Sequence, residues 1–389
     1  VSSAQRVIVV GGGTVGLAAA WALSRRGHDV QVLERFEHLH ELGSHGGYTR
    51  IIRQAYHEGS DYVRLVRAAD EAWTGLEQRA GECLLVRCGL LEFGSREDEQ
   101  FEAAVRSLRA HEIEHEEVDA AEAMRRWPVR MPGHWSACLT PQSGYLRVPA
   151  CLDALRDEAA SAGARFEYGV RVNEIVCGGP TPRVLLEEGK LLAADQVVVA
   201  VGAYAGELLP SFFRDRGRDL FLAQRRVLGW TRPEPARHAA LRAMPVWGAF
   251  VPNGFFYGFP LTDEGVTGFK VACHEARTEP WLDEPVDPER VRRDIDERDL
   301  RLLREFLGEY IPAASGEFVE AKVCMYGSTP SWDFLVDSHP EDGRVWVASG
   351  FSGHGFKFAP ELGEMLADLL EDGRSDRRLD IFQRKSHVS

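Results

Sequence analysis

The chain of 389 residues is short of several things. Its seven cysteines, Cys83, Cys88, Cys138, Cys151, Cys177, Cys273 and Cys324, are scattered, odd in number and never in CxxC spacing. That argues against a zinc site, a redox dithiol and a disulfide framework. No apolar run reaches the roughly 20 residues of a membrane span. Lysine and arginine number 46 against 60 aspartates and glutamates, a formal charge of −14. The basic pairs Arg25-Arg26, Arg125-Arg126 and Arg225-Arg226 form no stripe, so a phosphate backbone would be repelled. Fixed-period repeats and low-complexity linkers are also missing, and the chain opens on a strand-like segment rather than a leader. These absences predict a cytoplasmic protein that binds neither nucleic acid nor membrane and holds no metal.

What is present is enough apolar residue, 44%, to build a core without staples, in a chain long enough for two domains. RVIVV at 6–10 reads as a buried parallel strand. GGGTVG follows at 11–16, then a helix from Leu17 that Gly27 ends, then a second strand, DVQVLER, at 29–35. This β-turn-α-β unit is what positions a dinucleotide. Gly11 allows the tight turn, Gly13 lets the backbone approach a pyrophosphate, and Gly16 permits close helix–strand packing. The helix N-terminus offers free N–H groups to phosphate oxygens, and Glu34 can accept from ribose hydroxyls. The motif alone does not choose between NAD and FAD.

Two later segments repeat the strand, glycine, helix order: ADQVVVAVGAYAGELL at 194–209, with Gly202, and GRVWVASGFSGHGFKFAPELGEMLADLL at 343–370. A nucleotide domain made of 1–85, 146–216 and 321–389 is predicted, interrupted by a substrate domain of 86–145 and 217–320. The interrupting segments hold alternating aromatic strands, FFYGFP at 255–260 and VTGFKVA at 266–272, around a turn at 262–265. They also hold a helical stretch predicted over 288–307. Cys324, between Val323 and Met325, is on its own either a small buried hydrophobe, a nucleophile or an attachment point.

GGGTVG, GSHGGYTRIIRQAY at 43–56, VPNGFFYGFP at 251–260, AKVCMY at 321–326 and GFSGHGFKF at 350–358 together resemble the monomeric sarcosine oxidase family, which includes N-methyltryptophan oxidase, within the D-amino-acid-oxidase-like flavoproteins. The likeness runs in the same order over essentially the whole chain. It implies an α/β (α+β) fold: a Rossmann-like FAD-binding domain with a second, mixed or antiparallel-sheet substrate domain, in a monomer. It implies oxidation of a small secondary amine bearing a carboxylate, with O₂ as acceptor. Sarcosine is the first substrate to expect; a larger N-alkyl or cyclic amino acid, or a dehydrogenase with another acceptor, is the alternative. By the same resemblance Cys324 carries the FAD through a thioether to the flavin 8-methyl group. Arg53 and Lys357 hold the substrate carboxylate, a task for fixed cationic donors. Arg50 is placed near the flavin, and its spacing from Arg53 suits one turn of a helix. Lys270 is placed over the ring, where a positive charge favours the reaction with O₂. Tyr257, His274, Tyr326 and His354 match pocket residues, and Ser44, Thr49, Gly202, Gly353, Gly355 and Lys357 are expected beside the cofactor. The segments around Tyr48, Phe256 and VACHE depart from the family pattern; they leave the catalytic groups in place and bear on the shape of the pocket.

Overall fold

The computed structural model describes residues 4–54, 56, 59, 61–215 and 217–387. The β-branched run Arg6–Val10 is at the centre of a six-stranded sheet. The order is Leu335–His339, Asp342–Ser349, Gln196–Val199, Arg6–Val10, Asp29–Glu34, Arg165–Tyr168. The pairs are parallel except for the hairpin of the first two strands. A parallel sheet is covered on both faces, which is why its strands read as continuous apolar runs. Val7, Val9, Val30 and Val32 pack on the helix Thr14–Arg25, and Ile8, Val10, Val197 and Val199 pack on a small antiparallel sheet that contributes Ile175 and Val184. The helix ends just before Gly27, whose φ is +89°. It lies against a second helix, Ala359–Asp372, so closely that a Cβ on Gly363 would be 2.3 Å from the carbonyl oxygen of Ala18.

The second sheet has eight strands in the order Glu317–Ser328, Leu222–Arg232, Gly268–Ala276, Gly254–Thr262, Val246–Val251, Leu90–Gly94, Ser136–Thr140, Glu116–Asp119. Only the Val246–Val251 and Leu90–Gly94 pair is parallel. Alternation separates its two faces. Trp247, Phe256, Phe269 and Val271 pack on a helix, Glu297–Tyr310, with the rings of Phe256 and Phe306 stacked 4.3 Å apart. Leu228, Ala272, Cys324 and Tyr326 cluster with Tyr257 on the other face, towards the nucleotide sheet. Among the described residues no helix is long and apolar enough to cross a membrane.

Three expectations change. The helix predicted over 288–307 begins only at Glu297, because Asp296 and Asp299 form a capping box that fixes the start. The charged stretch before it has too few apolar residues to make a buried stripe. The predicted domain boundaries at 85/86, 145/146 and 320/321 fall inside the strands Leu85–Val86, Gly144–Arg147 and Glu317–Ser328. Finally, Arg50 is in a strand, Thr49–Ile52, paired with Gly144–Arg147, and not on a helical turn with Arg53.

Candidate active site

The three glycines of the first turn do different jobs. Gly11 has φ +100°, and a Cβ there would lie 2.5 Å from the Ala200 carbonyl oxygen. A Cβ on Gly16 would lie 1.8 Å from the oxygen of Gly11, so only glycine lets the helix seat on the strand. At Gly13 nothing but the His45 ring comes within 4 Å, leaving the backbone open to a ligand. Gly13 caps the helix without any side-chain hydrogen bond, so the first-turn N–H groups remain available to an anion. Glu34 is buried and accepts from the N–H of Gly12 at 2.6 Å and of Phe36 at 2.8 Å. Burial pushes its carboxyl up, against the pull of those N–H groups.

A single cavity joins this turn to the second sheet. Gly11, Gly13, Glu34, Ser44, Arg50, Gly202, Gly353 and Gly355 line it from the nucleotide side, and Tyr257, Cys324 and Tyr326 from the other. At Gly353 φ is +77° and a Cβ would strike the Tyr326 ring at 2.3 Å. Gly16, Thr49 and Lys357, expected near the cofactor, are not in this lining. The uncapped helix end, the open approach at Gly13 and the glycine-built walls fit a dinucleotide whose pyrophosphate lies on the helix N-terminus.

Cys324 is 1% exposed and faces this cavity. Burial raises its thiol pKa, while Arg50, Lys270, Arg226 and Arg293 pull the other way. Lys270 is 2% exposed, which removes it from the surface of a hairpin. Its ammonium donates to Gly47 O at 2.6 Å, Thr49 O at 2.9 Å and Thr49 Oγ1 at 3.1 Å. Thr49 therefore serves Lys270 and does not face the groove. Burial, reinforced by Arg50, holds the Lys270 pKa well below the ordinary lysine value. Arg50 is tied down by the carbonyls of Ser44, Gly46 and Thr49.

Arg53 and Lys357, far apart in sequence, meet over one ring. The Arg53 guanidinium is 4.5 Å and the Lys357 ammonium 5.3 Å from the centre of Tyr56. Both cations are buried, Lys357 donating to His354 O at 2.8 Å. Glu92 is within 3.9 Å of Arg53. His354 bonds through Nε2 to Trp332 O at 3.2 Å. His274 pairs with the Tyr326 hydroxyl at 3.1 Å, and its ring is 6.4 Å from Tyr257.

Sequence reading missed several residues here. His45 is buried against the glycine turn, and burial depresses its pKa to about 3. His40, with its ring 4.8 Å from that of His45, is lowered to about 4, again chiefly by burial. Tyr56, Glu92 and Arg226 were equally silent. GSHGGYTR did carry His45, and RQAY carried Tyr56, but nothing local separates them from core residues. His40 packs within its own loop, on Phe36 and His45, while Glu92 and Arg226 depend on contacts between segments far apart in sequence.

The parallel sheet, the glycine turn and the second sheet closing over it define a dinucleotide-binding protein of two-sheet design. The model of the FAD-dependent oxidoreductase (DAO) family matches residues 6–369, and the chain belongs to that family. It is 33% identical over 380 residues to monomeric sarcosine oxidase of Bacillus sp. (strain B-0618), covering 97% of this chain and 94% of that one. It is 31% identical over 383 residues to N-methyl-L-tryptophan oxidase of Yersinia pestis (strain Pestoides F), covering 97% of each. Among solved structures it resembles NikD, an unusual amino acid oxidase essential for nikkomycin biosynthesis, with a TM-score of 0.82, 27% identity and coverage of 97% and 96%.

Proposed function

We propose that the protein oxidises the secondary amine of an N-methyl amino acid, with sarcosine first, to an imine that water hydrolyses to the free amino acid and formaldehyde. The observation that carries this is the convergence of Arg53 and Lys357 on Tyr56, two buried cations with the charge to grip a carboxylate. Fixing the carboxylate orients the N-methyl carbon, so positioning supplies much of the rate. FAD, when bound, would supply the two-electron acceptor and the reactivity towards O₂ that yields hydrogen peroxide. Arg50 lines the cavity, and Lys270 shares the Thr49 carbonyl with it; together the two cations would stabilise negative charge developing on oxygen. Tyr257, His274, Tyr326 and His354 shape the substrate chamber. Ser44, Gly202, Gly353 and Gly355 line the cofactor, and Cys324 holds it by a thioether at the 8-methyl group. The nucleotide-binding and substrate domains are each discontinuous, and the enzyme works as a cytoplasmic monomer.

A larger N-alkyl or cyclic amino acid is the second reading. It is supported by the 31% identity to N-methyl-L-tryptophan oxidase, whose name specifies a larger N-methyl amino acid. One experiment tests the proposal: the visible spectrum of the purified protein before and after anaerobic addition of sarcosine. Flavin bands that bleach, with peroxide formed on readmission of air, support it. Bands that persist reject sarcosine and turn the search to the larger amines. Bleaching without peroxide on aeration rejects the oxidase in favour of a dehydrogenase.

A further inference from the structure

Arg226 is one of the largest fully buried side chains, at 1% exposure. A guanidinium in such a place has to be paired and hydrogen-bonded, and the strand pattern around it shows how. The ladder between Leu222–Arg232 and Gly268–Ala276 runs from Thr231 opposite Phe269 to Leu228 opposite Ala272 and stops there. Beyond that point the guanidinium takes the place of the missing rungs. Nε donates to His274 O at 3.2 Å, Nη1 to Arg225 O and Leu282 O, and Nη2 to Asp283 Oδ1 at 2.5 Å.

On the other side Arg226 is the direct cross-strand partner of Cys324. Side chains so paired lie on one face about 4.5–5.5 Å apart at Cβ. The guanidinium also lies 4.9 Å from the centre of the Tyr326 ring, and Tyr326 bonds to His274. One buried cation therefore touches the strand end that carries His274, the ring of Tyr326 and the neighbourhood of the thiol. Nothing in the substrate grip or the Lys270 network uses it.

We propose that Arg226 is a positioning residue for cofactor attachment, favouring the thiolate of Cys324 and fixing the His274–Tyr326 pair beside it. The inference rests on the attachment of FAD at Cys324. In that step a C–S bond forms at the flavin 8-methyl carbon. The thiol proton and one methyl hydrogen are lost, and the two electrons released pass through the ring to O₂, giving hydrogen peroxide. The nucleophile is the thiolate, so the rate follows its fraction. The charged or titratable groups acting on Cys324 are Arg50, Lys270, Arg226, Arg293, Tyr257 and Tyr326. Among the described residues, Arg226 is the one of these four cations directly paired with a carboxylate that is itself partly open to solvent, Asp283. That carboxylate offsets part of its charge.

The test follows attachment of FAD to full-length protein produced without flavin, as acid-stable flavin fluorescence over a range of pH. Arg226→Gln is expected to slow attachment about tenfold at pH 7 and to move its pH midpoint up by about one unit. Arg226→Lys restores part of the rate. Asp283→Asn, at a half-exposed position, moves the midpoint down and speeds attachment, which a purely structural arginine would not produce. Wild-type profiles in both Arg226→Gln and Asp283→Asn overturn the proposal. If Arg226→Gln does not fold, Asp283→Asn decides alone. Wild-type protein that gains no acid-stable flavin, like Cys324→Ser, overturns the attachment itself, a result distinct from the first.

Discussion

Lys270 is held by three oxygens and yet sits in a place that disfavours its charge. Its folded-state pKa is depressed, so the charged form is lost as pH rises through that depressed value, below the ordinary range for lysine. The reaction with O₂ is therefore expected to slow on the alkaline side well before pH 10.5, the ordinary lysine value. Lys270→Met should slow flavin reoxidation about a hundredfold while anaerobic reduction by substrate changes about twofold or less. Stopped-flow measurement of the two half-reactions separates these, and an unchanged oxygen rate removes Lys270 from the oxidative step. Arg53 makes a different prediction. Arg53→Met loses charge-assisted hydrogen bonds worth about 3 kcal/mol together, or about a hundredfold in kcat/KM for the amino acid. Arg53→Lys should rescue little, since a lysine lacks the planar fork. Full activity in Arg53→Met, measured by peroxide release, would remove the carboxylate grip.

At the scale of elements, two glycines decide whether the nucleotide lobe closes. Gly16→Ala would place a Cβ 1.8 Å from Gly11 O, and Gly363→Ala would place one 2.3 Å from Ala18 O. Both neighbours are backbone and cannot swing aside, so each substitution should cost about 1–3 kcal/mol, at the upper end for Gly16→Ala. Urea titration of the apoprotein measures this, and midpoints equal to wild type would show that the helix moves freely. The role of Gly16 was legible in the sequence because strand, glycines and helix are neighbours and periodicity is a local signal. The late helix was legible for the same reason, from Leu362, Met365, Leu366 and Leu369. The resemblance set Arg53 and Lys357 together as expected site residues, but Tyr56, the ring over which both lie, was not read, because it matters only once two distant segments have met. Arg226 read only as half of a basic pair; Cys324 is brought to it by strand pairing, and His274 and Asp283 by segments distant in sequence. The start of the helix Glu297–Tyr310 was missed because the arginines and glutamate before Asp296 have good helix propensity, which the cap and the lack of an apolar stripe overrule.

For the whole molecule, burial of neutral histidines beside the groove links stability to acidity. His40 and His45 are lowered to about 4 and about 3 from the ordinary 6.5. Below about pH 6.5 the unfolded chain takes up their protons first. Stability is thus full above that value and lost progressively as pH falls towards the folded-state values. The apoprotein is expected to be less stable at pH 5 than at pH 7 by about 2 kcal/mol or more, read from urea midpoints. His45→Gln should flatten that slope; an equal slope would place the acid sensitivity elsewhere. The segment between Leu282 and Asp296 joins the two lobes in the same region. Glu289 holds Arg35 and Arg171, and Arg293 holds the carbonyls of Glu41, Leu42 and Val323.

The order of strands in the parallel sheet has a consequence for biosynthesis. Arg6–Val10 leaves the ribosome first, but one neighbour, Gln196–Val199, comes from the middle of the chain and the next, Asp342–Ser349, from near its end. At about 5–20 residues per second, the first strand waits on the order of ten seconds or more for the sheet to be completed. Cys324 emerges in that last interval too. A nascent chain therefore has a glycine turn long before it has a groove. Cofactor capture belongs to the finished polypeptide, and a chain released early leaves a sticky half-sheet for chaperones to shelter.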